Sequence, residues 1–140
     1  MPGPAQCSAQ RNTRQRSAIR TAFQRAGAPL SPQQVLEAAQ AQVDGLGIAT
    51  VYRNIKALVE EGWLVPVELP GEPTVYEEAG KAHHHHFRCD SCTRVFELSG
   101  CEVNLNRLKR SGFSVRHHEV VLYGLCAECR NRTAVSGRPL

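Results

Sequence analysis

No stretch of this 140-residue chain is long and apolar enough to cross a bilayer, and the first ten residues lack the apolar core of a secretory signal. Aromatic residues are scarce at 6%, with a single Trp and a single Met, although a hydrophobic share of 41% is ordinary for a globular chain. There is no internal repeat and no H-E-x-x-H pattern of a zinc protease. These absences lead to the expectation of a soluble, cytoplasmic protein with neither a membrane nor a small-molecule substrate as partner. Thiols stay reduced in that compartment, so paired cysteines read as metal ligands rather than disulfides.

Charge of one sign is missing locally at two places. Residues 11–25 hold Arg11, Arg14, Arg16, Arg20 and Arg25 with no acidic residue, and residues 67–78 hold four glutamates with no basic one. The formal charge of +4 is modest, but its separation points to contact with a polyanion at one end and ligation of a cation further on.

What the sequence does hold in abundance is histidine and cysteine within a short span. His83, His84, His85 and His86 run directly into Cys89 and Cys92, and a second C-x-x-C follows at Cys126 and Cys129. Two such pairs form the tetrahedral thiolate cage that Zn²⁺ prefers, closed to substrate and therefore structural. A purification tag would sit at a terminus, whereas this histidine run abuts the first cysteine pair. In an extended segment alternate side chains face opposite ways, so His83 and His85 share one face while His84 and His86 share the other. One strand can then serve two metal sites.

Apolar periodicity and turn residues divide the chain near residue 80. Residues 1–10 read as a mobile tail, followed by a helix over 13–26 with Ile19, Ala22, Phe23 and Ala26 on one face. Ser31 and Pro32 open a second helix running to about residue 42. A third, over 49–61, buries Val51, Ile55, Leu58 and Val59 and turns Thr50, Tyr52, Arg53 and Lys56 outward. Two strands, 63–67 and 74–77, follow about the Pro70-Gly71 turn. This is the pattern of a winged helix-turn-helix whose recognition helix enters the major groove.

In the second half a strand is expected over 95–98. Ser99 and Glu102 are spaced as a capping box for a helix through residue 110, with Gly112 as its stop. Further strands are expected over 115–117 and 119–125, the latter burying Val120, Val121 and Leu122. Residues 131–140 are expected to fray. The expected fold class is α+β: a winged-helix domain over 1–80 and a small α/β metal-binding domain over 81–140.

The segment GIATVYRNIKALVEEGWL, the opening RNTRQRSAI, and HHHHFRCDSC with YGLCAEC resemble the ferric uptake regulator family of metal-dependent bacterial repressors. The resemblance implies a winged-helix domain joined by a hinge to an α/β dimerisation domain, 81–140, in a homodimer on palindromic double-stranded DNA operators, with metal closing the hinge. It also implies a structural zinc on Cys89, Cys92, Cys126 and Cys129, and a hinge sensor site on Glu77, His84, His86 and Glu97. A third site falls on His83, His85 and His118 with a further ligand that is Cys101, Glu102 or Asn104. DNA contacts fall on Tyr52 and Arg53, with Arg14 and Arg16 as weaker candidates.

Two departures from the family pattern bear on the metal. Pro29 stands where iron- and peroxide-sensing members carry a histidine, and no cysteine lies between Val43 and Arg88, where zinc sensors place one. Four adjacent histidines, joined by a thiolate if Cys101 ligates, favour a borderline-soft ion. The leading expectation is a zinc uptake regulator, with Zn²⁺ as structural and regulatory cofactor. The alternatives are Fe²⁺, Mn²⁺, Ni²⁺ or peroxide sensing on the same fold. A zinc hydrolase is a distant alternative, for Glu97 or Glu119 would have to act as general base without any accompanying motif. An interaction module that does not bind DNA leaves the outward Tyr52 and Arg53 unexplained.

Overall fold

The computed structural model describes residues 3–135 and divides the chain into two compact units, Met1–Gly80 and Lys81–Leu140. In the first unit, three helices, α1 (Pro4–Ala26), α2 (Pro32–Gln40) and α3 (Ile48–Glu60), precede a hairpin of β1 (Leu64–Val67) and β2 (Val75–Glu78). Ile19, Phe23, Val35, Val51, Ile55 and Leu58 interlock as the core, each at most 2% exposed. Their helical spacing, three, four or seven residues apart, is what puts them on one face of each helix.

α2 starts where its cap chemistry dictates. The Gln34 backbone N–H donates to Ser31 Oγ at 3.2 Å and the Ser31 N–H donates to Gln34 Oε1 at 2.9 Å, a reciprocal capping box with Pro32 at the first turn. α3 stops at Gly62, whose φ of 79° lies where a side chain would be strained. Trp63 then packs its ring edge against Phe23, and the Arg20 guanidinium lies over its face. Leu30 exchanges backbone hydrogen bonds with Tyr76 at 2.8 and 2.9 Å, tying the segment before α2 to the wing.

The second unit is built on a three-stranded sheet in the order β4-β3-β5, with β3 (His84–Cys89), β4 (Val95–Ser99) and β5 (Val121–Gly124). β3 runs antiparallel to β4 and parallel to β5. A single turn of helix, α4 (Leu105–Leu108), lies between β4 and β5, and α5 (Ala127–Val135) follows.

Five expectations are corrected. α1 begins at Pro4 rather than near residue 13, so residues 4–10 of the expected tail are helical; Pro4 suits a first helical turn and nothing from Ala5 onward breaks the run. The helix expected over 99–110 shrinks to α4 because Ser99 is taken into the β4 ladder opposite His84. Asn104 becomes the cap instead, accepting the Asn106 N–H at 3.1 Å. Residues 115–117 form no strand, and of the apolar run in β5 Leu122 is 50% exposed. Finally, residues 131–135 are helical in α5, while residues 136–140 lie outside the described residues.

Candidate metal centres and nucleic-acid face

The cysteine tetrad is assembled by three local devices. Cys89 ends β3, Cys92 sits on the turn to β4, and Cys126 and Cys129 bracket the start of α5. The turn is closed by the Thr93 N–H donating to Cys89 O at 3.0 Å and the Cys89 N–H donating to Arg94 O at 3.0 Å. Thr93 takes the left-handed φ of 63° that so tight a turn needs. The Asp90 N–H donates to Gly124 O at 2.7 Å, which holds this turn against the end of β5.

All four Sγ atoms lie within 4.8 Å of one another, and Cys92 Sγ is 3.9 Å from Cys126 Sγ. Tetrahedral zinc with Zn–S bonds of about 2.3 Å requires sulfur separations of about 3.8 Å, so the residues present fit that ion. Phe87, Phe96 and Leu125 pack around the sulfurs.

Without a cation four neighbouring thiols cannot ionise together, and their proton affinities are driven apart. Burial pushes the Cys89 thiol up, but the backbone N–H groups of Cys126, Cys92 and Ser91 outweigh it and bring it to about 6. Burial likewise raises Cys92, and hydrogen bonds from the Arg94 guanidinium, the Arg94 backbone N–H and Cys129 together more than reverse it. Cys129 is left raised to about 11, chiefly by burial.

Arg94 was not foreseen from spacing, though it stands only two residues beyond Cys92. Its Nε donates to Cys92 Sγ at 3.4 Å and its Nη2 donates to Glu128 at 2.6 Å. These contacts, with Cys92 first, push the guanidinium further above its ordinary range. Arg132 Nη2 donates to Cys129 Sγ at 3.6 Å. Two cations thus lie against a cage whose loaded form carries net negative charge.

A second cluster unites His83, His85, Cys101 and His118, whose donor atoms also lie within 4.8 Å of one another. His83 Nε2 and Cys101 Sγ stand 3.2 and 2.9 Å from His118 Nε2. Glu102 is exposed and outside this cluster, because the helix that would have presented it does not form; Asn104 is spent on capping α4.

His85 is the buried member. Its Nδ1 accepts the Val120 N–H at 3.1 Å, so the neutral ring carries its proton on Nε2, which is buried and has no hydrogen-bond partner among the described residues. Burial first, then His83 and His118, lowers the pKa of the ring and keeps it uncharged. Three imidazoles, one of them with an orphaned buried nitrogen, and one thiol fit a cation better than they fit one another.

His84 and His86 share the other face of β3, their rings 4.9 Å apart. His84 Nδ1 is 2.8 Å from the Ala82 carbonyl, so Nδ1–H donates there and Nε2 carries the ring lone pair, as in a metal-ligating imidazole. Glu97 lies opposite His86 in the register, but its carboxylate is held by Lys81 Nζ at 2.7 Å. Glu77 sits on β2 of the first unit, 5% exposed.

On α3, Thr50 is half-buried while Tyr52, Arg53 and Lys56 are exposed. Arg53 Nη2 donates to Thr50 Oγ1 at 2.9 Å, which aims its side chain along the helix. A polar cleft of about 550 Å³ between α1 and the start of α3 is lined by Arg11, Gln15, Arg16, Thr50, Arg53 and Asn54. Arg14 is exposed beside it on α1. Arg16 forms an ion pair with Glu61, so part of its charge is spent within the protein.

A winged helix joined in one chain to an α/β unit carrying histidine and cysteine clusters defines a metal-dependent, DNA-binding transcription regulator. The chain belongs to the ferric uptake regulator family, whose model matches residues 8–123. The ferric uptake regulation protein of Campylobacter jejuni is 30% identical over 127 residues, covering 87% of this chain and 81% of that one. The zinc uptake regulation protein of Mycobacterium tuberculosis is 29% identical, covering 86% and 95%. The Helicobacter pylori ferric uptake regulator, in which three functional metal-binding sites are described, superposes with a TM-score of 0.64 at 25% identity, covering 83% of this chain and 79% of that one. Members of this family are regulators, not enzymes, and the zinc hydrolase reading falls. Among the described residues no helix is long and apolar enough to cross a membrane.

Proposed function

We propose that this protein is a zinc-responsive repressor of metal-uptake genes, acting in the cytoplasm as a homodimer on palindromic operators. The observation that carries the metal is the second cluster: three nitrogen donors and the Cys101 sulfur within 4.8 Å of one another make a borderline-soft set of four. Fe²⁺ and Mn²⁺ prefer more oxygen.

In this reading Cys89, Cys92, Cys126 and Cys129 hold a structural Zn²⁺, and His83, His85, Cys101 and His118 hold a regulatory one. His84 and His86 with Glu77 form the sensor ligands at the hinge. Glu97 joins them only if it gives up Lys81. A bound cation supplies charge that draws these ligands together and so favours the DNA-competent state of the dimer. Tyr52 and Arg53 read base edges, while Thr50, Lys56, Arg14 and Arg16 contact the backbone.

A second reading, iron or manganese response, draws on the carboxylates of Glu77 and Glu97, which suit harder ions. The test is operator binding by purified protein against a panel of divalent ions, with bound metal measured in parallel. Repression at the lowest free concentration by Zn²⁺ supports the proposal. Binding driven by Fe²⁺ or Mn²⁺ with Zn²⁺ inert would replace it with the second reading.

A further inference from the structure

We propose that Cys101 is an oxidative modification site, a thiol at which a hydroperoxide competes with the metal cation for the same cluster. This rests on the reading of His83, His85, Cys101 and His118 as a metal site. Among the thiols whose surroundings are described, exposure singles the residue out: Cys89, Cys126 and Cys129 are 0%, 8% and 3% exposed and Cys92 is half-buried under Arg94, whereas Cys101 is exposed. His118 Nε2 lies 2.9 Å from its Sγ, within reach of the thiol proton. The buried, unpartnered Nε2 of His85 in the same cluster marks the place as built for a ligand.

The chemistry balances within these groups. The Sγ proton passes to His118 Nε2, and the sulfur lone pair attacks one oxygen of the hydroperoxide as the O–O bond breaks. The departing oxygen takes the proton back from His118 and leaves as water or an alcohol. Cys101 is oxidised by two electrons to the sulfenic acid and the hydroperoxide is reduced by two. A cation in the cluster occupies the same lone pair, so the loaded site is protected. A sulfenic acid is a poorer donor than a thiolate, so the oxidised cluster no longer takes up the metal. Among the described residues no thiol other than Cys101 belongs to this cluster, so a small external thiol is what restores it, through a mixed disulfide.

The test uses the full chain with its tetrad zinc retained. Hydrogen peroxide is added with dimedone, with and without further zinc, and the adduct is located by peptide mass spectrometry. The expected result, among Cys89, Cys92, Cys101, Cys126 and Cys129, is an adduct on Cys101 alone in the absence of added zinc, suppressed when zinc fills the cluster and slowed in His118→Ala. Bound zinc is measured in the same samples and in Cys101→Ser, whose affinity at the cluster should fall on the order of tenfold or more. First labelling on the tetrad, or an unlabelled Cys101 in metal-free cluster, overturns the proposal. Zinc that binds the cluster yet leaves labelling unchanged overturns the competition alone. Zinc that never exceeds the single equivalent of the tetrad sinks the metal-site reading as well.

Discussion

At the scale of single residues, Arg94 shows how much of a metal centre lies outside its ligands. Spacing of the two C-x-x-C pairs marks the four sulfurs, but nothing in that pattern announces that a guanidinium will donate to Cys92 and to Glu128 at once. Its side chain is 40% exposed, so its contribution is screened and amounts to about 1 kcal/mol rather than that of a buried pair. Arg94→Ala should nevertheless speed zinc loss to a chelator, since the sulfur it shields becomes easier to protonate, and Arg94→Lys should recover part of the difference. Unchanged release in both variants would show that Arg94 serves only Glu128. The choice between Cys101 and Glu102 was likewise illegible in the sequence, because it depended on a helix whose start was misjudged.

At the scale of elements, what could be read was set by short-range chemistry. α2 and α3 were legible because Ser31, Pro32, Gln34 and Gly62 are local signals that the tertiary structure leaves in force. α4 was misread because Ser99-Gly100-Cys101-Glu102 has capping-box spacing, and the pairing of Ser99 with His84 overrides it. The alternation of the histidines was legible for the opposite reason: strand geometry has period two whatever surrounds it. On α3, Tyr52→Ala and Arg53→Ala should each weaken operator binding by about 1–3 kcal/mol if they reach base edges. Equal losses on operator and unrelated DNA would assign them to the phosphates instead. At the entry to β5, the Val120 N–H now donates to His85 Nδ1. Coordination through Nε2 moves the ring proton to Nδ1, where it would face that N–H donor against donor. Zinc loading of the cluster should therefore shift the Val120 amide resonance and raise its hydrogen exchange. A Val120 amide unmoved by zinc would exclude His85 Nε2 as a ligand.

For the whole molecule, the family and both units were legible in the ordered motifs from RNTRQRSAI to CAEC, whereas the metal was not. Family membership does not resolve it, since relatives named for iron and for zinc match at nearly the same identity. The two faces of β3 supply the experiment that does. His84→Ala and His86→Ala remove the proposed hinge ligands, while His83→Ala and His85→Ala remove ligands of the cluster that lies wholly within the second unit. If the hinge ligands are the sensor, the first pair should abolish zinc-dependent operator binding while the dimer and its tetrad zinc persist. The second pair should keep the response but require more zinc, by on the order of tenfold or more, because a site inside one unit can bias the DNA-competent state only indirectly. A zinc titration of operator binding by each variant decides the matter. Silencing by His83→Ala and His85→Ala, with normal response in His84→Ala and His86→Ala, would make the thiol-containing cluster the sensor, and prior oxidation of Cys101 would then block metal-driven repression directly.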